Sequence, residues 1–138
     1  MDQHELIFVA WKERVPPSIR SERFWSLIAY QKALFQYDML WEDTHAWLKD
    51  LRGQPLVKQI IASADSVCAN IEEGFGRGYG KQLVQFYVYS LGSARETKGR
   101  LYRAKAFYTP AILQVRLALA SEVVALILTE INRQKYRQ

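Results

Sequence analysis

Apolar side chains recur at alternating steps of three and four from Tyr30 through Leu34, Tyr37, Trp41, Thr44 and Leu48 to Leu51. That is a helical period sustained over about six turns. Gly53 closes this stretch, and Pro55 suits the first position of a following helix, where its missing N–H would have no partner. Val57, Ile60, Ala64, Val67 and Ile71 then form a heptad seam. Leu83, Val84, Tyr87, Leu91, Ala94, Leu101 and Tyr102 gather on one side of a third helix, from residue 81 to about residue 106. Thr109-Pro110 places a hydroxyl cap before a proline at the first helical position, and a fourth helix follows to about Gln134. No stretch alternates with period two between turn signals. Four amphipathic helices with short connections predict an all-α fold, an antiparallel up-down-up-down four-helix bundle.

Residues 1–20 read as an N-terminal extension and residues 21–138 as the bundle domain. Within the extension Leu6-Ile-Phe-Val-Ala-Trp11 is apolar and Pro16-Pro17 interrupts any helix. It is expected to pack on the bundle or on a neighbouring molecule. The fourth helix has two apolar sides. Leu113, Leu117, Ala120, Val124, Ile127 and Ile131 are assigned to the core, and Ile112, Val115, Leu119, Val123 and Leu126 to the opposite side. A contiguous apolar patch of that size is rare on a soluble monomer, so the second set is read as an interface of a homo-oligomer. The competing reading has the extension covering it.

Several chemistries find no support in the residue pattern. Cys68 is the one cysteine, and with His4 and His45 it makes no set with zinc spacing, so no metal and no cofactor is expected. Cys68 beside the second seam reads as a buried thiol, and His45 as part of a solvated face. The start Met1-Asp2-Gln3-His4-Glu5 lacks the basic character of a secretion signal, and no apolar run approaches the roughly twenty residues of a membrane span. A cytoplasmic protein without membrane contact is expected.

The segment Ala69-Asn-Ile-Glu-Glu-Gly-Phe-Gly-Arg-Gly-Tyr-Gly-Lys81 invites comparison with phosphate-binding loops. A Walker loop ending at Gly80-Lys81 would need glycine at 75 and Ser or Thr at 82, where the chain has Phe75 and Gln82. The glycines therefore read as backbone devices: Gly74 as a helix stop, Gly76 and Gly78 as turn positions, and Gly80 as the start of the third helix. Glu72 and Glu73 point about 100° apart on a helix and cannot flank one bond. A local Glu73–Arg77 pair is expected instead. With no Ser, His and Asp set to single out, the chain reads as non-enzymatic.

Charge is uneven along the chain. Residues 74 to 118 hold Arg77, Lys81, Arg95, Lys98, Arg100, Arg103, Lys105 and Arg116 against Glu96 alone, whereas residues 1 to 73 are net acidic. With Arg95 as zero, Lys81 falls at about 40°, Arg103 at about 80° and Arg100 at about 140°, away from the apolar side at about 290°. Such a stripe fits a polyanion, RNA or DNA, with Arg77, Lys81, Arg95, Arg100 and Arg103 as contacts. Gly92 and Ser93 between them are small enough for a ribose-phosphate chain to approach. The competing use is packing between subunits, with Glu96 pairing an arginine. Among the aromatics, Trp41 and Tyr87 read as core, and Tyr79 and Tyr89 as exposed.

Asn70-Ile-Glu-Glu-Gly-Phe-Gly-Arg77 resembles the Asn-Ile-Ala-Glu-Gly-Phe/Tyr-Gly-Arg hallmark of bacterial four-helix-bundle proteins first found encoded in intervening sequences of large-subunit ribosomal RNA genes. Tyr30-Gln-Lys-Ala33 is similar to the family's Trp-Xaa-Lys-Ala, Leu91-Gly-Ser-Ala-Arg-Glu96 to its Gly-Ser-Xaa-Xaa-Glu, and Leu101-Tyr-Arg-Ala104 to its Leu-Xaa-Xaa-Ala. Asn70, Glu73, Gly74, Gly76, Gly92, Ser93 and Glu96 are thereby motif positions. Tyr30 stands in place of tryptophan and Glu72 in place of alanine. The resemblance implies a homopentameric, ring-like assembly and kinship with accessory proteins of diversity-generating retroelements, which bind nucleic acid and a reverse transcriptase. A protein–protein scaffold without nucleic-acid contact is the alternative.

Overall fold

The computed structural model describes residues 1–77 and 79–137. Its order is α1 (Gln3–Arg14), α2 (Pro17–Arg20), a 3₁₀ turn (Arg23–Ser26), α3 (Ile28–Thr44), a 3₁₀ turn (His45–Lys49), α4 (Gly53–Arg77), α5 (Lys81–Arg103), a 3₁₀ turn (Lys105–Phe107) and α6 (Pro110–Arg137). The fold is all-α, with no strand among the described residues. Helix α4 lies along α5, α5 along α6, and α3 against both α4 and α6.

The four long helices close on two stacked clusters. One is built around Tyr30, Val67, Ile71, Tyr87, Val123 and Ile127, the other around Leu40, Ile60, Ala64, Leu101 and Ala120. The α4 seam faces inward as the heptad spacing requires. Thr109 Oγ1 accepts from the Ile112 N–H at 3.3 Å, the cap expected before Pro110.

The first long helix stops at Thr44 rather than at Gly53. The chain tightens into the 3₁₀ turn so that Trp47 can stack on Phe107 (5.1 Å between centroids) and meet Tyr108 edge-on (5.4 Å). Leu48 and Leu51, on the extrapolated stripe, are left exposed. Gly53 opens α4, with Pro55 as its third residue. A Cβ on Gly53 would stand 2.1 Å from the Trp47 carbonyl oxygen, so only glycine lets the chain pass there.

The assignment of Gly74 as a helix stop and Gly76 as a turn position is corrected, because α4 continues through both. Gly74 is buried, and a Cβ there would lie 3.0 Å from Phe86 Cβ and 3.1 Å from Leu83 Cδ1. Its role is to let α5 come close. Among the described residues Gly80, at φ 57°, is the only one with positive φ, and it precedes α5 as expected. Gly78 lies outside the described residues.

The extension packs on the protein's own α3 and α6. Asp2 caps α1 through the Glu5 N–H at 2.8 Å. Phe8, Trp11 and Val15 bury against Phe35, and Leu119 of α6 joins them. Trp11 Nε1 donates to Asp38 Oδ2 at 2.8 Å. The buried ammonium of Lys32 sits 3.9 Å from the Phe8 ring centroid and pairs with Glu5 (3.6 Å) and Glu122 (3.1 Å), tying α1 to α6.

Candidate nucleic-acid interface

A seam of small polar side chains between α4 and α5 decides which side of α5 faces outward. Ser90 Oγ donates to the Val67 carbonyl (2.8 Å), Thr97 Oγ1 meets Ser63 Oγ (2.9 Å), and Ser66 and Ser93 hydroxyls lie 2.7 Å apart. Asn70 Nδ2 donates to the Ser66 carbonyl (2.9 Å) and to its Oγ (3.0 Å). Partners at these positions pin the register of the two helices, since a one-turn slip would leave buried hydroxyls unpaired. The motif residues Asn70 and Ser93 thus hold α5 in place. Ser93 stays half-buried, with its hydroxyl turned to Ser66. Gly92 is open, with nothing within 4 Å of the place a Cβ would occupy.

The outward side of α5 carries Lys81, Arg95, Lys98 and Arg103, all exposed, with Lys105 just beyond. None of these five has an ion-pair partner among the described residues. Arg77 and Arg100 differ. Arg77 Nε lies 3.3 Å from Glu73 Oε1, the local pair expected, although within α4 rather than across a turn. Arg100 makes two bonds to Glu96 Oε1 (2.7 and 3.1 Å) and a third to Gln59 Oε1 of α4 (2.7 Å). Glu96, the lone acid of the basic segment, is thereby engaged within its own helix. Arg116 is drawn in as well, largely covered and paired with Asp43.

Between α5 and α6 runs a groove of about 420 Å³ lined by Arg95, Lys98, Gly99, Tyr102, Leu117 and Val124. Tyr102, on the apolar side by periodicity, is 55% exposed, with Lys105 Nζ 4.4 Å from its ring centroid. Leu117 and Val124, assigned to the core, are half-buried in the groove floor. Trp41 is likewise not core: it is 59% exposed and stacks on Tyr37. Tyr87 is buried, and Tyr79 and Tyr89 are exposed, as expected. Lys98, Lys105 and Tyr102 are the surface residues the periodicity missed. Tyr102 lies at the edge of the apolar arc, where the position of the neighbouring helix decides.

The inner stripe of α6 is rotated toward Val123. Val123 was expected on the outer side but is fully buried with Ala120, Ile127 and Ile131. Leu119 and Leu126 are half-buried against the interior and Val115 is half-buried too, so Ile112 is the exposed member of that set. Helix α6 is nonetheless long and apolar enough to cross a membrane by length and composition, and only a minority of its residues are buried in the protein. The expectation that no stretch reaches that length is corrected. Its Arg116 and Glu122 are tied to Asp43 and Lys32.

The two departures from the family hallmark meet in space: Tyr30 Oη donates to Glu72 Oε2 at 2.7 Å. Burial, helped by this bond and by the Glu72 charge, pushes the Tyr30 phenol well above its ordinary value. The folded state therefore favours the protonated ring. Its contribution is complete below the unfolded pKa of about 10 and fades as pH rises beyond it, by up to about 1.4 kcal/mol per pH unit. Tyr30→Phe is expected to lose stability less steeply than the parent between neutral and strongly alkaline pH, as measured by urea unfolding. Equal slopes would show that the phenol is not held protonated. Burial likewise pushes the Cys68 thiol up, which leaves it a poor nucleophile.

Residues 26–127 match the family model described as 23S rRNA-intervening sequence protein. Among solved structures, the chain is similar to a crystal structure from Bacteroides thetaiotaomicron VPI-5482, described as a protein with unknown function from the S23 ribosomal protein family. The TM-score is 0.69 at 19% identity, over 75% of this chain and 98% of that one, a likeness of fold. No curated protein matches the chain.

Proposed function

Because the chain belongs to the 23S rRNA-intervening sequence protein family, we propose that it is a non-enzymatic, oligomeric nucleic-acid-binding protein whose contact surface is the outward side of α5. One observation carries this reading: Lys81, Arg95, Lys98, Arg103 and Lys105 share one helix and the turn after it, and the one acid in the basic segment is engaged by Arg100. Unneutralised cations gathered in this way gain free energy by releasing the counterions condensed on a polyanion. The pairwise packing of α3 to α6 supports an up-down-up-down four-helix bundle, and the apolar surface of α6 around Ile112 and Val115 supports self-association. A ring-like homo-oligomer, pentameric by family resemblance, would array the basic faces around one assembly. The setting proposed is service beside a ribosomal RNA carrying an intervening sequence, or beside a reverse transcriptase in a diversity-generating retroelement.

The test is sedimentation velocity with a labelled single-stranded RNA over a range of salt. The expected result is an assembly larger than one protomer, whose log affinity falls against log salt with a slope of about −3 for each protomer engaged. A slope flatter than about −1 would remove the basic face as the contact. The scaffold reading draws on the little-buried apolar stretch of α6, and is favoured if the assembly forms while RNA binding is flat with salt.

A further inference from the structure

The groove between α5 and α6 has a composition that phosphate binding alone does not require. A helix that only tracks a backbone needs cations on a convex surface. Here Arg95, Lys98 and the ring of Tyr102 line the α5 side of a concavity whose α6 side is the aliphatic Leu117 and Val124. Lys105 holds that ring from its own side at 4.4 Å, adding a third cation next to it. Gly99 has no side chain to obstruct the groove, and a Cβ there would meet the mobile end of Arg103 alone, at 3.1 Å. The occupant such a place fits is flat, apolar on its faces and attached to negative charge.

We propose that this groove is a single-strand site, in which an unpaired base inserts over Leu117 and Val124 and stacks on Tyr102 while its flanking phosphates contact Arg95 and Lys98. The inference rests on the nucleic-acid reading above and narrows it from polyanions in general to unpaired nucleotides. In a duplex the bases are stacked inside and unavailable, whereas in a loop or single strand they can turn outward onto an aromatic ring. A second copy of the chain could also use the apolar floor. Among the described residues no acid lines the groove, so two such grooves cannot meet face to face, and a polyanion matches Arg95 and Lys98.

The experiment titrates labelled single-stranded RNA, a duplex of the same sequence and an abasic strand of equal length against the full chain, Tyr102→Leu and Tyr102→Phe. Circular dichroism checks that each variant is folded, and Tyr102 is exposed enough that both should be. The parent should prefer the single strand to the duplex. Tyr102→Leu should weaken single-strand binding by about 5- to 100-fold, leave the abasic strand and the salt slope unchanged, and be rescued by Tyr102→Phe. Salt-dependent binding that Tyr102→Leu does not alter, or equal affinity for the duplex, overturns the base site and leaves the basic face standing. Binding that is absent or flat with salt overturns both. Loss of self-association in Tyr102→Leu with unchanged RNA affinity gives the groove to a second copy and also overturns the proposal.

Discussion

Arg116→Met is expected to lower stability by about 3–5 kcal/mol. Arg116 Nε and Nη2 bind Asp43 Oδ2 and Oδ1 at 2.6 and 3.0 Å, and Tyr108 Oη donates to the same Oδ2 at 2.7 Å. The side chains of the pair are only 12% and 14% exposed, so neither charge recovers its hydration if the other is removed. Burial works against the charge of Arg116, but the hydrogen bonds and field of Asp43 outweigh it and hold the guanidinium charged. Burial, reinforced by Asp43, pushes the Tyr108 phenol up, so it remains a donor across the ordinary pH range. Methionine in place of Arg116 leaves an ionised carboxylate with one phenol for company. Replacing both members, Asp43→Leu with Arg116→Met, should recover most of the loss, because the desolvation cost of both charges disappears together. Urea unfolding followed by tryptophan fluorescence measures both variants. A cost below about 1 kcal/mol for the single change would mean that the pair is hydrated.

Arg95→Ala combined with Arg103→Ala is expected to weaken RNA binding by about 10- to 100-fold at moderate salt and to flatten the salt dependence by two contacts. Arg77→Ala combined with Arg100→Ala removes the same formal charge. Its effect should be smaller, because each of those arginines is already engaged by a carboxylate and makes no phosphate contact of its own to lose. Comparing the two double variants separates position from net charge. If both weaken binding equally, the contact depends on total charge and the outward side of α5 has no special part in it.

The difference between the two pairs of arginines marks a limit of reading along the chain. The proposed contacts come from one basic segment, and helical angles put four of them, Lys81, Arg95, Arg100 and Arg103, on one side of one helix. Those angles cannot reveal that Arg100 reaches Gln59, forty-one positions earlier in the chain, or that Arg116 is bound to Asp43, seventy-three positions away. The same holds for aromatics. Tyr87 sits at the centre of its apolar arc and is buried, and Tyr102 sits at the edge of that arc and is exposed; Trp41 falls inside the stripe of its own helix and is exposed nonetheless.

Periodicity alone was enough to determine that the chain is helical, that α4 turns Ile60, Ala64, Val67 and Ile71 inward, and that α6 begins at Pro110 behind a Thr109 cap. These are consequences of local geometry, a repeat of 3.6 residues and the needs of unpaired N–H groups at a helix start. Tertiary structure alone decided that α3 stops at Thr44 to seat Trp47, that Gly74 serves a close approach rather than a turn, and that Val123 faces inward. It also decided which cations stay unpaired and placed Tyr102 beside them. The physical reason is that a helix specifies the angle of each side chain about its own axis, while burial, ion pairing and the opening of a groove depend on which other helix lies at that angle, and at what distance.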